Sequence, residues 1–252
     1  LNWKTNVVFS INRNKISKLY GGENDVDVGN EWFVGEPISA LYDYELLGGL
    51  WTEDDLYAGR TYTGWYPGQY KYADLNGDNR IDPQNDRKIV GYADPNYRFS
   101  IGNTLTWKNF SLYFLLNSIQ GGNGYYLRDN YTVVNVNSRS DDVLRMNQSA
   151  VRPYWTPDNG VDNATGVYNS AAVTSRIFES RSFVRIQDVS LTYTFGNDLL
   201  QRMGRINNLQ IFLSGKNVYT WTKWSGWDPE IASANANYPA MRNVSLGLRL
   251  GL

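Results

Sequence analysis

The acidic run Asp74-x-Asn76-x-Asp78-x-Arg80-x-Asp82, with Asp86 four residues further on, is the strongest candidate for site chemistry in this 252-residue sequence. Oxygen side chains at loop positions 1, 3, 5 and 9, with a backbone carbonyl at position 7, open an EF-hand-type calcium loop. The match is partial. Asn79 stands where that loop has its glycine, Asn85 stands where it has its closing glutamate, and Asp86 comes one residue late. Two readings are open: a structural calcium loop, or a turn whose Asp and Asn side chains bond backbone amides with no metal.

Other chemistry is excluded by composition. The sequence has no His and no Cys, which removes Ser–His and Cys–His catalysis, thiolate metal sites and disulfides. Asp54-Asp55 and Asp141-Asp142 are adjacent pairs whose side chains diverge in extended chain, so nothing sets two carboxyls across a glycosidic bond. Gly121-Gly122-Asn123-Gly124 lacks the lysine of a phosphate loop. An enzyme is therefore not expected. With 24 Lys plus Arg against 25 Asp plus Glu, the net charge of -1 gives no cationic excess for nucleic acid.

The elements that must carry these residues read as strands. Val244, Leu246, Leu248, Leu250 and Leu252 alternate with polar or side-chain-free positions, and so do Leu209, Ile211 and Leu213. Val189, Leu191, Tyr193 and Phe195 repeat the pattern, as do Phe99, Ile101, Leu105 and Trp107, and Trp3, Val7, Phe9 and Ile11. Residues 110–117 form a further strand behind a Lys108-Asn109 turn, and 36–51 is another candidate, giving about seven strands. Leu199 to Met203 fits one helical turn. The longest apolar run is five residues, Leu112 to Leu116, against about 20 for a membrane helix.

The connectors are lopsided. The Lys108-Asn109 turn is short, whereas 52–96, 120–181 and 218–240 are long, polar and rich in aromatics. That is the layout of an outer-membrane barrel. Aromatics near strand ends (Trp3, Trp107, Tyr193, Phe195) suit an interfacial girdle, and Arg185, Lys216 and Arg249 on the polar faces suit a wet lumen. There they meet either a ligand or plug, or ordinary acid partners. Alternation alone also permits a soluble β-sandwich.

Several patches carry a family resemblance. Pro67-Gly68-Gln69-Tyr70-Lys71-Tyr72-Ala73-Asp74-Leu75-Asn76-Gly77-Asp78, then Ile81-Asp82, Val90-Gly91 and Asp94-Pro95, resembles a segment near the end of SusC/RagA-like TonB-dependent outer-membrane transporters. Gly35-Glu36-Pro37-Ile38, Tyr42-Asp43-Tyr44 and Gly49-Leu50-Trp51 match an earlier stretch of that family in order. Ser182-Phe183-Val184-Arg185-Ile186, Lys216-Asn217-Val218-Tyr219-Thr220 and Gly226-Trp227-Asp228-Pro229-Glu230 match later ones. Gln69, Asn79 and Leu252 depart from the family's usual Asp, Gly and Phe.

The resemblance implies an all-β fold, with the C-terminal strands of a large antiparallel transmembrane β-barrel under long extracellular loops. Residues 1–252 would be the C-terminal barrel segment, with the plug and earlier strands outside this chain. It implies TonB-dependent import of glycan or peptide fragments across the bacterial outer membrane. The implied partners are a SusD-like surface lipoprotein as lid, TonB through the missing N-terminal part, the rest of the barrel and plug, and the lipid bilayer. In such a transporter Trp65, Tyr66, Tyr125, Tyr126, Trp155 and Trp224 would contact substrate or lid, with loop packing as the alternative. The competing expectation is a soluble, calcium-stabilised carbohydrate-binding or adhesin β-sandwich.

Overall fold

The computed structural model describes residues 1–21, 25–65, 67–124, 178–202, 204, 206–226, 228–231 and 240–251. Six strands form one antiparallel sheet: β1 (Asn2–Ser10), β8 (Pro95–Trp107), β9 (Phe110–Gly121), β12 (Phe183–Thr194), β13 (Asn208–Thr222) and β14 (Asn243–Gly251), in that spatial order. Their lengths of 9 to 15 residues meet the ~9–11 that a tilted strand needs to cross a bilayer. The Lys108-Asn109 turn and a short connector holding helix α2 (Asn197–Arg202) lie at one end of the sheet. All the long connections lie at the other.

Register carries the alternation from strand to strand. Trp3 pairs with Leu105, Leu105 with Leu112, Leu112 with Leu191, Leu191 with Leu213, and Leu213 with Leu246. One face of the sheet thus carries apolar side chains on all six strands, broken at Thr5 and Asn103, where Asn103 Oδ1 accepts from both Thr5 and Trp3. This face is also uncovered: Val7 is 62% exposed, Leu213 50%, Leu246 76% and Leu248 61%. A sandwich would bury this face under a second layer, and among the described residues no layer does so. Aromatics border it at both ends, with Trp107, Phe110 and Tyr193 toward the short turns and Phe9, Tyr97, Phe99, Tyr219 and Trp221 toward the long loops. Tyr97 and Trp107 are ten residues apart on β8, about 33 Å along the strand and ~25 Å after a barrel tilt of about 40°, the height of a lipid-facing band.

The opposite face carries Lys4, Asn6, Ser10, Arg98, Ser100, Thr104, Ser190, Thr192, Ser214, Lys216 and Arg249. Phe212 interrupts it. Its ring lies over Gly247 of β14 and fills the space a side chain there would occupy. On β12 the register slips between Ile186 and Asp188. This bulge reverses the alternation, so Val184 and Ile186 before it and Val189 and Leu191 after it all face outward. Two short patterned stretches thereby join into one strand.

The stretch 36–51 does not add a seventh strand to the sheet. It forms β4 (Ala40–Tyr44) and β5 (Leu46–Leu50), which pair with β7 (Arg87–Tyr92) and β6 (Tyr70–Tyr72) in two small ladders. Five residues each, with Gly48 and Gly49 at positive φ, are too short and too bent to cross a membrane. The short ladder of β2 (Val26–Asp27) with β3 (Trp32–Phe33), and that of β10 (Asn123–Gly124) with β11 (Glu179–Ser180), also lie at the long-loop end.

Residues 40–92 are instead a folded module with the only hydrophobic core cluster found among the described residues: Tyr44, Trp51, Trp65, Tyr72 and Ile81, flanked by Leu46, Tyr62 and Tyr70. The rings meet edge to face, Trp51 on Tyr62 at 5.3 Å and Trp65 on Tyr72 at 5.4 Å between centroids. Tyr62 donates its hydroxyl to the Tyr72 carbonyl at 2.9 Å. Burial pushes the Tyr62 and Tyr44 phenols up.

Candidate functional site

The long-loop end of the polar face is organised by Arg185. Its side chain is 5% exposed and reaches three partners: Nη2 donates to Asp228 Oδ1 at 2.7 Å, Nη1 to Glu230 Oε2 at 2.9 Å, and Nε to Thr220 Oγ1 at 3.0 Å. The guanidinium also sits 4.7 Å from the centroid of the buried Phe183 ring. Asp228 in turn accepts the amides of Glu230 and Ala240. A second arginine, Arg181, donates to the Pro229 and Glu230 carbonyls at 2.9 and 2.8 Å, and burial pushes its guanidinium pKa down.

Two sequence patches, Ser182 to Ile186 and Asp228 to Glu230, therefore form one ionic hub. Strand β12 presents the cation from the sheet, and the loop after β13 folds back to supply the acids. Arg185 has ordinary acid partners, which is one of the two expected readings. A desolvated pair of this kind fixes a conformation, because removing either partner strands a buried charge. Lys216 and Arg249 remain exposed on the same face, Arg249 donating to Gln210 Oε1 at 3.2 Å.

In the module, the acidic run folds as a chain of turns. Asp74 accepts the amides of Gly77 and Asn79 at 2.6 and 2.8 Å. Asn76 accepts the amide of Asp78, and Asp78 that of Arg80. Asp82 accepts from Gln84, Asn85 and the Asn85 side chain, which holds its carboxyl below the usual range. Asp86 is fully buried and clasps the Leu75 and Asp82 amides at 2.8 Å each. Asn79 takes the positive φ (64°) that the family's glycine would take.

These oxygens are directed at the loop's own N–H groups. Among the described residues no three of Asp74, Asp78, Asp82 and Asp86, or any other acids, group as a cation would require. Asn76 and the Arg80 carbonyl do not supply the missing acids. As arranged, the donor set does not fit a resident calcium ion. Asp55 is another fixed acid of the module. Thr52 caps helix α1 (Glu53–Tyr57) through a capping box with Asp55. Asp55 also meets Lys71 Nζ at 2.8 Å and Arg60 at 2.8 Å, so the lysine first, with the arginine, holds its carboxyl well below the usual range against the opposing effect of burial.

Of the aromatics expected at substrate or lid, Trp65 and Trp224 are each 5% exposed, which corrects that expectation. Trp65 is in the module's core, held between Tyr62 and Tyr72, and Trp224 is buried just after β13, its amide donating to Thr222 Oγ1. Tyr66, Tyr125, Tyr126 and Trp155 lie outside the described residues. The large apolar side chains that do face outward at the loop end include Leu47 (60%), Tyr57 (82%) and Met241 (82%). None carries a periodic signal. Nor does any local pattern signal the pairing of Arg185 with Asp228 and Glu230, although both patches carry motifs.

No protein-family profile matches the chain. Over 98% of its length it is 28% identical to TonB-dependent receptor P3 of Formosa agariphila, and over 99% it is 29% identical to TonB-dependent receptor P26 of the same organism. It covers 26% and 27% of those proteins, so the chain spans about a quarter of the curated relatives it matches. Among solved structures it superposes over its full length on 27% of a chain in the open-open state of the RagAB peptide importer, with a TM-score of 0.71 at 23% identity. A second structure of the RagAB peptide transporter gives 0.70 over 98% of the chain, also at 23% identity. The resemblance to SusC/RagA-like TonB-dependent transporters thus holds over nearly the whole chain, and the six-stranded sheet is that part of their fold.

Proposed function

We propose that this chain is the C-terminal barrel portion of a TonB-dependent importer that carries glycan or peptide fragments across the bacterial outer membrane. The observation that carries this reading is the outer face of the sheet: apolar on six consecutive strands, exposed, and edged by aromatics at both ends. In water such a contiguous apolar face is a liability. Against hydrocarbon it is stable. No helix of the described residues is long and apolar enough to span a membrane. The edge strands β1 and β14 then pair with the remainder of the barrel, because lipid does not tolerate open sheet edges.

In this reading the segment does no chemistry. The wall faces a wet lumen with Ser, Thr, Lys and Arg, and the Arg185 hub fixes the loop after β13 above it. The module of residues 40–92 stands at the mouth, presenting Leu47 and Tyr57 toward a SusD-like lid or an incoming fragment. Energy would enter from TonB, with the plug and the TonB-contacting segment contributed by the remainder of the polypeptide. The naming of RagAB as a peptide importer supports the transport class.

The test is biochemical. The polypeptide carrying this sequence should resist carbonate extraction from membranes and run faster on gels before heating than after. Its denatured mass should be several-fold above 28.8 kDa or accompany larger fragments. A monodisperse species near 28.8 kDa that needs no detergent would sink the proposal.

A further inference from the structure

At the long-loop end of the outer face, a recess of about 420 Å³ opens across β9, β12 and β13. Its floor and lower wall are Val184 and the Tyr219–Trp221 pair, whose rings meet edge on at 4.8 Å. Thr220 lies between those two aromatics, and the upper wall is mostly polar: Gln120, Ser180, Ser182, Thr222 and Lys223, with Phe183. Register places Val184 and Trp221 beside Ser118 and Phe99 on the lipid-facing side. Lys223 follows two residues after Trp221 and is exposed. Among the described residues it forms no ion pair.

We infer that this recess binds the phosphorylated headgroup of an outer-leaflet lipid. The inference rests on the barrel reading above. Three features select that occupant. The recess is continuous with the lipid-facing surface, so the molecule that reaches it is a membrane lipid. Its apolar lower half and polar upper half match the change from acyl chain to headgroup along such a lipid. The donors suit an anion. Lys223 brings an ammonium, and Ser182 Oγ accepts from the Gly121 amide and from Ser180, both at 2.9 Å, which leaves its own hydroxyl proton to give. The Gln120 amide is already committed to Ser118 Oγ and the Phe183 carbonyl, so it shapes the wall.

The full-length protein, purified in detergent and stripped of lipid, is titrated with diphosphoryl lipid A, with the same lipid dephosphorylated, and with inorganic phosphate, and binding is read by native mass spectrometry. One diphosphoryl lipid is expected per site, with the dephosphorylated form about tenfold weaker. Lys223→Gln should weaken binding about fivefold, the weight of one cation at an anionic membrane surface. Ser182→Ala should cost less, and Lys4→Gln on the lumen face nothing. Heat-modifiable mobility of each variant certifies that the barrel has folded.

Equal binding of phosphorylated and dephosphorylated lipid overturns the inference, as does wild-type affinity in Lys223→Gln. Inorganic phosphate binding as tightly as the lipid overturns it in favour of a free-anion site. A protein that is soluble without detergent fails the barrel reading itself. A heat-modifiable barrel indifferent to Lys223 fails the lipid site alone.

Discussion

Trp107 on strand β8 is 54% exposed, and Trp65 in the module is 5% exposed. Both sit in aromatic-rich segments bounded by turns, and composition alone would treat them alike. The sheet presents most of its aromatics outward with nothing over them, and its buried positions are few: Asn103, Ser118, Phe183, Arg185, Leu209 and Gly215. The module turns its aromatics inward on one another. The difference identifies the solvent each region is built for. A module that gathers Trp51, Trp65 and Tyr72 is driven by water, whereas a sheet that spreads Leu213, Leu246 and Leu248 over one surface gains only when that surface meets hydrocarbon.

The largest effects should separate the two regions. Trp65→Ala removes the centre of the module's ring cluster and should destabilise the module by about 4 kcal/mol. Limited proteolysis should then cut within residues 40–92 while the barrel keeps its heat-modifiable mobility. Concerted loss of both would show that module and sheet fold as one unit. Arg185→Ala should cost about 3 kcal/mol locally, because Asp228 is left buried without its cation. The loop after β13 should gain hydrogen-exchange rates, and Asp228→Asn in the same background should recover part of the loss. Exchange unchanged in Arg185→Ala would remove the hub from the account.

The reciprocal substitution lies on the sheet. Leu213 is half exposed, so in a soluble protein Leu213→Arg would cost little. In a barrel it places a cation against lipid and should cost about 2 kcal/mol, rising toward the bilayer midplane. Ser214→Arg, one residue away on the polar face, should be nearly neutral. Denaturant refolding into vesicles measures both. If the two arginines cost the same, the outer and inner faces have been misassigned.

How much of this was legible depends on the range of the interaction. Strand alternation at 98–107, 209–216 and 243–252 is local, and it gave those strands and their outer face directly. Lys108-Asn109 and the helical turn near 199–203 were also local. The bulge at Gln187 was not, since period-2 patterns on either side of it read as separate pieces. Residues 52–96 read as polar loop because the module's core residues recur at no period: Tyr44, Trp51, Trp65, Tyr72 and Ile81 meet only once β4 has found β7 and β5 has found β6. The same holds for Arg185, 43 residues from Asp228. Motif matching flagged both patches without saying that they touch.

Acid should act on the module before the sheet. Asp55 has a folded pKa below its ordinary value, so its contribution is complete above about pH 4, the unfolded carboxylate value, and is lost as pH falls from there toward the depressed one. The module's stability should therefore be flat between neutral pH and about pH 4 and fall below it. Asp55→Asn should remove that slope and lower stability at neutral pH by about 2 kcal/mol. Thermal melts of the module, followed by near-ultraviolet circular dichroism, give both quantities.

The smallest expected effect concerns the acidic run in that same module. Asp74, Asp78 and Asp82 bond amides of their own turns, and Asp86 bonds those of Leu75 and Asp82. A calcium ion would have to compete with bonds as short as 2.6 Å and recruit acids that do not converge. Chelation followed by calcium addition should therefore leave the module's melting temperature unchanged. Asp86→Asn, which loosens the buried clasp on Leu75 and Asp82, should lower it with or without calcium. A calcium-dependent rise in wild type that vanishes in Asp74→Asn would reverse this argument. The module would then be a metal-stabilised loop, and the contrast with the sheet would rest on its aromatics alone.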